Sequence, residues 1–173
     1  MTPHRFRLKL TAQTGKAYVP FVRRMVRRAR LLLRGPLAEL TVVFVGDRQM
    51  ISLHDQFMNL PTTTDVLTFP IDEDGRGRAL SGEVYVCIPE ARRQAKARGV
   101  EVRHEVLLYA LHGILHLCGF DDRTEPEYRR MHEREDAILT RLGVGRVFRG
   151  ERPTGGRRPP PRSKARASSG KHE

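Results

Sequence analysis

The sequence predicts an α+β fold of about four strands and about five helices, followed by a basic tail that builds no core. Three observations predict it. Strand-like runs such as LTVVFV and EVYVCI alternate with stretches of helical apolar spacing between His4 and Leu142. One of those stretches, Val102 to Leu117, is apolar over a broad surface, as a central buried helix must be. From Arg146 onward Arg, Pro, Gly and Ser dominate, a composition that cannot bury enough surface to order itself. The expected division is therefore one domain over 1–145 and a disordered basic tail over 146–173, and 173 residues suit a single core.

Each element follows from its residues. HRFRLKL, His4 to Leu10, alternates apolar and basic side chains and predicts an edge strand. From Ala17 to Leu33, Val22, Met25, Val26, Ala29, Leu32 and Leu33 recur at helical spacing, while Arg23, Arg24, Arg27, Arg28, Arg30 and Arg34 take the other face. That face is either solvated or holds phosphates. Gly35-Pro36 ends the helix, and Leu40 to Val45 predicts a buried strand. Asp47 is expected to cap the next helix, through Ile51, Leu53 and Phe57, before Pro61 and a threonine cluster open a loop. Val66 to Phe69 predicts a short strand, Ile71 to Leu80 an exposed loop, and Glu83 to Ile88 another strand. Pro89 begins a helix that Gly99 stops; Gly119 stops the central helix; a last amphipathic helix runs from Glu125 to Leu142.

Charge is distributed unevenly. Residues 1–36 carry ten Lys or Arg and no acid, residues 37–145 carry 13 basic and 18 acidic side chains, and residues 146–173 carry nine basic and two acidic. Basic ends around an acidic middle suit a polyanion, because cations that neutralise phosphates release counterions. Two cysteines, Cys87 and Cys118, make no disulfide framework. No run approaches the 18 to 20 apolar residues of a membrane span, and no signal peptide opens the chain, so a cytoplasmic location is expected.

The chemistry concentrates in HGILHLCGFDD, His112 to Asp122. His112 and His116 are four apart, so on a helix they differ by about 40° in direction and about 6 Å along the axis, and both imidazoles reach one ion. Gly119 then lets the chain turn back, bringing position 122 to the same ion as a third ligand. Three protein ligands leave a place for water, as in catalytic rather than structural zinc sites. Cys118 lies about 200° around the helix from His116 and should point into the core. His104 and His132 lack a companion and read as structural or surface residues. A competing reading makes Asp122 the cap of the last helix.

These residues resemble the YbeY endoribonucleases, bacterial rRNA maturation factors. HGILHLCGFD is similar to their signature of two histidines four apart and a third six residues later. LTVVFVGDRQMISLHDQFM, TDVLTFP (Thr64 to Pro70) and SGEVYVCIPEARRQA (Ser81 to Ala95) resemble the family's other segments in the same order. The resemblance covers residues 4–142 and implies a zincin-like domain with a mixed sheet and one Zn2+ ion. It further implies single-strand-specific endoribonuclease activity in 16S rRNA 3′-end maturation and ribosome quality control. The implied partners are rRNA, the small ribosomal subunit and a ribosome-assembly GTPase.

Two positions depart from the family pattern. Asp122 stands where the third histidine is usual; a carboxylate is an established zinc ligand, but it lowers the site's charge by one. Met58 stands where an arginine is usual, and it cannot clamp a phosphate. Arg123 is a candidate substitute, and Arg23, Arg24, Arg27 and Arg28 are candidate RNA contacts. Asp121, Asp65 and Glu83 are candidates for proton handling or ligand support. Met58 and Asp122 leave open a non-cleaving ribosome-assembly factor that keeps the metal. A metalloprotease is disfavoured because its signature needs Glu directly after the first His, and Gly113 is there.

Overall fold

The computed structural model describes residues 5–147. The expected tail falls outside these residues except for Arg146 and Val147, and Val147 is 2% exposed within the main core. The chain runs β1 (Arg7–Ala12), a 3-10 turn (Lys16–Tyr18), α1 (Val19–Leu32), β2 (Glu39–Val45), α2 (Asp47–Met58), β3 (Val66–Glu73) and β4 (Ala79–Cys87). It ends with α3 (Ile88–Arg98), α4 (Val102–Leu117) and α5 (Glu125–Arg141). The sheet order is β1-β2-β4-β3, with β1, β2 and β4 parallel and β3 antiparallel to β4. This is the mixed four-stranded sheet with five helices that the sequence implied, and β1 is an edge strand as expected.

Strand alternation assigns two faces to the sheet. Leu40, Val42, Phe44, Val84 and Val86 belong to the main core with α1, α4 and α5, whereas Val45, Leu67, Phe69 and Cys87 meet Met50 of α2 in a smaller one. The approach of α4 to the sheet depends on two missing side chains. A Cβ on Gly113 would sit 2.5 Å from a Val84 methyl, and one on Gly82 would sit 2.6 Å from Leu117. Glycine at 113 lets the helix lie directly on β4. A Glu at that position, as the protease signature requires, would press its Cβ into the Val84 methyl groups.

Two expectations are corrected. Ile71 to Leu80 is not a loop: β3 and β4 continue as a hairpin through Asp72↔Ser81 and Glu73↔Ala79, past an irregular register at Pro70 to Glu73. The turn occupies only Asp74 to Arg78. Polar residues pair well on an exposed edge, where the ladder rather than burial selects the extended state. Asp74 organises the turn by accepting from the backbone N–H groups of Arg76 and Arg78 at 2.9 Å and from Arg78 Nε at 2.8 Å. Those bonds, Arg78's above all, hold its carboxyl down at about 2.

Asp47, secondly, does not cap α2. Gly46 holds the N-cap position with no side-chain cap, and Asp47 accepts instead from Arg93 Nη1 at 3.0 Å and Nη2 at 2.7 Å, tying α2 to α3. The Arg93 guanidinium keeps the Asp47 carboxyl below its ordinary range.

Candidate metal centre

The C-terminal turns of α4 carry His112 and His116, one helical turn apart, and their Nε2 atoms lie 3.0 Å from each other. The helix then stops in a Schellman arrangement: Gly119 takes a φ of 95°, its N–H donates to His116 O at 3.1 Å, and Phe120 N–H donates to Leu115 O at 3.0 Å. The reversed chain brings Asp122 back. Its Oδ2 lies 3.4 Å from His112 Nε2 and its Oδ1 3.5 Å from His116 Nε2. A tetrahedral zinc with bonds near 2.0 to 2.1 Å sets its ligand atoms about 3.3 Å apart, so the three donors fit such an ion.

Asp122 is not the cap of α5. Thr124 is, in a reciprocal box: Glu127 N–H donates to Thr124 Oγ1 at 3.4 Å, and Thr124 N–H donates to Glu127 Oε2 at 3.0 Å. Asp122 is left 7% exposed and facing the histidines.

Behind the histidines sits a residue that sequence reasoning missed. Glu135 of α5 is fully buried, and it accepts from His112 Nδ1 at 2.5 Å and from His132 Nδ1 at 2.6 Å. Burial alone would raise its carboxyl, but the two imidazole donors outweigh it and lower the carboxyl below the ordinary range. A carboxylate only accepts, so His112 carries its proton on Nδ1 and presents the Nε2 lone pair to the Asp122 side. Two ring nitrogens 3.0 Å apart, one of them a committed lone pair, suit a shared cation or proton. Glu135 was legible in principle: Met131, Glu135, Ile138 and Leu139 form one buried stripe on α5, and a carboxylate in an apolar register needs a partner. His132, read as structural or surface, is thereby joined to the site through Glu135.

His112, His116 and Asp122 border a cavity of about 520 Å³ whose lining includes His54, Met58, Asp65, Arg78, Asp121 and Arg123. Asp65 accepts from Val66 N–H at 2.8 Å and Asp121 from Asp122 N–H at 2.8 Å, so both carboxylates shape the backbone of the rim. Arg123 pairs with Asp121 at 2.7 Å. Glu83 is elsewhere: it alternates with the α4-facing Gly82 and Val84, and it accepts from the Tyr85 hydroxyl at 2.9 Å. Among the described residues, Arg23, Arg24, Arg27 and Arg28 do not border the cavity. They lie on α1, which packs beside β1 at the opposite edge of the sheet from β3. Arg23 donates to Leu10 O at 3.5 Å, and Arg24 lies 5.8 Å from the Phe21 ring centre. Cys118 packs against the main core as expected, and burial raises its thiol. His104 lies against the Phe21 ring at 5.8 Å, a structural position.

Comparison with known proteins gives a consistent result. A family model described as Endoribonuclease YbeY matches residues 10–143. Endoribonuclease YbeY of Thermobifida fusca is 39% identical over 127 residues, 67% of this chain and 82% of that protein. Its counterpart in Kineococcus radiotolerans is 42% identical over 125 residues, 68% of this chain and 70% of that protein. Among solved structures, TM1509 from Thermotoga maritima superposes with a TM-score of 0.57 at 22% identity, covering 79% of this chain and 91% of that one, which shows a shared fold. With 134 contiguous residues matched and the helix that carries His112 and His116 among them, the chain belongs to the YbeY endoribonuclease family.

Proposed function

We propose that this chain is a metal-dependent endoribonuclease that cleaves single-stranded RNA, with one zinc ion held by His112, His116 and Asp122. The observation that carries the reading is the set of three donors 3.0 to 3.5 Å apart on the border of a cavity, backed by a buried carboxylate. A bound divalent ion supplies a Lewis acid for a phosphoryl oxygen and acidifies a water. Glu135 holds the His112 tautomer, and Arg78 and Arg123 bring guanidinium groups to the cavity, where phosphate charge develops. Met58 lines the same cavity without charge, so these two arginines are the ones placed to take over a clamp.

Within this reading the cytoplasmic substrate is the 3′ end of 16S rRNA in the small ribosomal subunit, alongside ribosome quality control and a ribosome-assembly GTPase. The arginine face of α1 holds the RNA backbone at a distance from the cut, and the basic residues beyond 146 add cations for its phosphates. Asp121 and Asp65 are the rim groups this reading assigns to proton handling; Glu83, outside the cavity lining and bonded to Tyr85, is less well supported in that role.

The test is incubation of the full chain with an rRNA fragment bearing an unprocessed 3′ end, with zinc, with chelator, and as His116→Ala. Zinc-dependent internal cleavage that the chelator and the variant both abolish is the expected result. Tight binding without cleavage would favour the non-cleaving assembly factor that Met58 and Asp122 leave open.

A further inference from the structure

We propose that His54 is a substrate-contacting residue of this site, its Nε2 accepting a hydrogen bond from the nucleotide that occupies the cavity. The inference rests on the endoribonuclease reading and adds a residue to it. His54 is 5% exposed, yet it borders the same cavity as His112, His116 and Asp122. Its Nδ1 lies 2.7 Å from the backbone oxygen of Thr62 in the α2–β3 loop. A carbonyl only accepts, so the neutral ring carries its hydrogen on Nδ1 and keeps a lone pair on Nε2. That nitrogen makes no hydrogen bond to the described residues. The ring as a whole is nearly buried while this nitrogen is not sealed among protein atoms, so it opens to the cavity in which the endoribonuclease reading places substrate.

The surroundings say what the acceptor is for. His112 and His116 direct their Nε2 atoms at each other and at Asp122, so those lone pairs belong to the ion site. Met58, one turn along α2, adds no polar group. The cations at the rim, Arg78 and Arg123, only donate. His54 is therefore placed to read a donor. A uridine offers two, the ribose 2′-hydroxyl and the base N3–H; the first would make His54 a sensor of RNA against DNA.

The test uses the full chain with zinc and a short labelled oligouridylate, with affinity read by fluorescence anisotropy. His54→Asn places an amide N–H near the Nδ1 position, keeping the Thr62 anchor and removing the Nε2 acceptor. It should weaken binding about two- to ten-fold, the worth of one neutral hydrogen bond, with zinc content and melting temperature unchanged. His54→Gln, which offers an acceptor near the Nε2 position and loses the anchor, should bind better than His54→Asn. The decisive arms are 2′-deoxyuridine and N3-methyluridine. Whichever removes the recognised donor should cost the parent the same factor and cost His54→Asn almost nothing.

Parental affinity in His54→Asn, or losses that multiply independently for both modified strands, overturns the proposal. So does a loss confined to His54→Gln, which would make the loop anchor the whole role. A parent chain that fails to bind the oligouridylate removes the endoribonuclease reading itself, and this inference with it.

Discussion

Two buried carboxylates in this molecule behave in opposite ways. Glu135 has both oxygens occupied by imidazole N–H donors, and its carboxyl is lowered in spite of complete burial. Glu105, near the other end of α4, is equally buried and meets Arg98 Nη1 at 3.0 Å through Oε1, with the Arg98 charge and the Tyr109 hydroxyl both favouring its charged form. Desolvation dominates there and raises the carboxyl. Burial is thus common to both, and whether the partners outweigh it decides the sign. The carboxylate of Glu135 orients His112; that of Glu105 joins α3 to α4.

The largest effect that would break this contrast lies at the ligands. His112→Ala and His116→Ala should each abolish stoichiometric zinc by elemental analysis while leaving far-UV circular dichroism nearly unchanged. Metal content equal to the parent's in either variant would move the site elsewhere. Asp122→Ala should lower zinc affinity by at least about 10- to 100-fold, Asp122→His should retain the ion, and Asp121→Ala should matter much less. Competition with a chromophoric chelator measures all three.

Glu135→Gln should cost about 10- to 100-fold in zinc affinity, because the amide no longer accepts from both imidazoles. Glu105→Gln should cost none. Equal zinc affinities in these two variants would erase the distinction between the carboxylates.

The smallest effect is a pH slope. With its folded pKa raised, Glu105 binds a proton in the native state at pH values where the unfolded chain has lost it. Its contribution is therefore favourable near the ordinary carboxylate range and fades as pH rises through the folded value. Denaturant titrations of parent and Glu105→Gln at several pH values should show the difference shift in favour of the variant as pH rises. A constant difference would mean that Arg98 compensates fully.

What the sequence showed and what it concealed divide by range. The order of strands and helices, and the His112, His116 and Gly119 pattern, are local periodicities and could be read directly. Glu135 meets a histidine 23 residues away, and Asp47 meets an arginine 46 away, so local pattern left the first unmarked and made the second a helix cap. The β3–β4 hairpin was hidden for another reason: its outer half is polar and exposed, and a hydrophobic pattern cannot mark it. His54 carries no mark in the local sequence, and only the fold brings it to the border of the cavity.

The Gly119 stop carries a mechanical consequence. His116 and Asp122 lie on opposite sides of a helix end, where backbone hydrogen bonds fray most readily. An ion held by both side chains would close a short ring around that end, parallel to the bonds from Gly119 to His116 and from Phe120 to Leu115. Loading the site should then slow amide hydrogen exchange at Gly119 and Phe120 more than at the first turn of α4. On the proposed reading the helix terminus is a latch, and occupancy by a divalent ion would set how firmly it is shut.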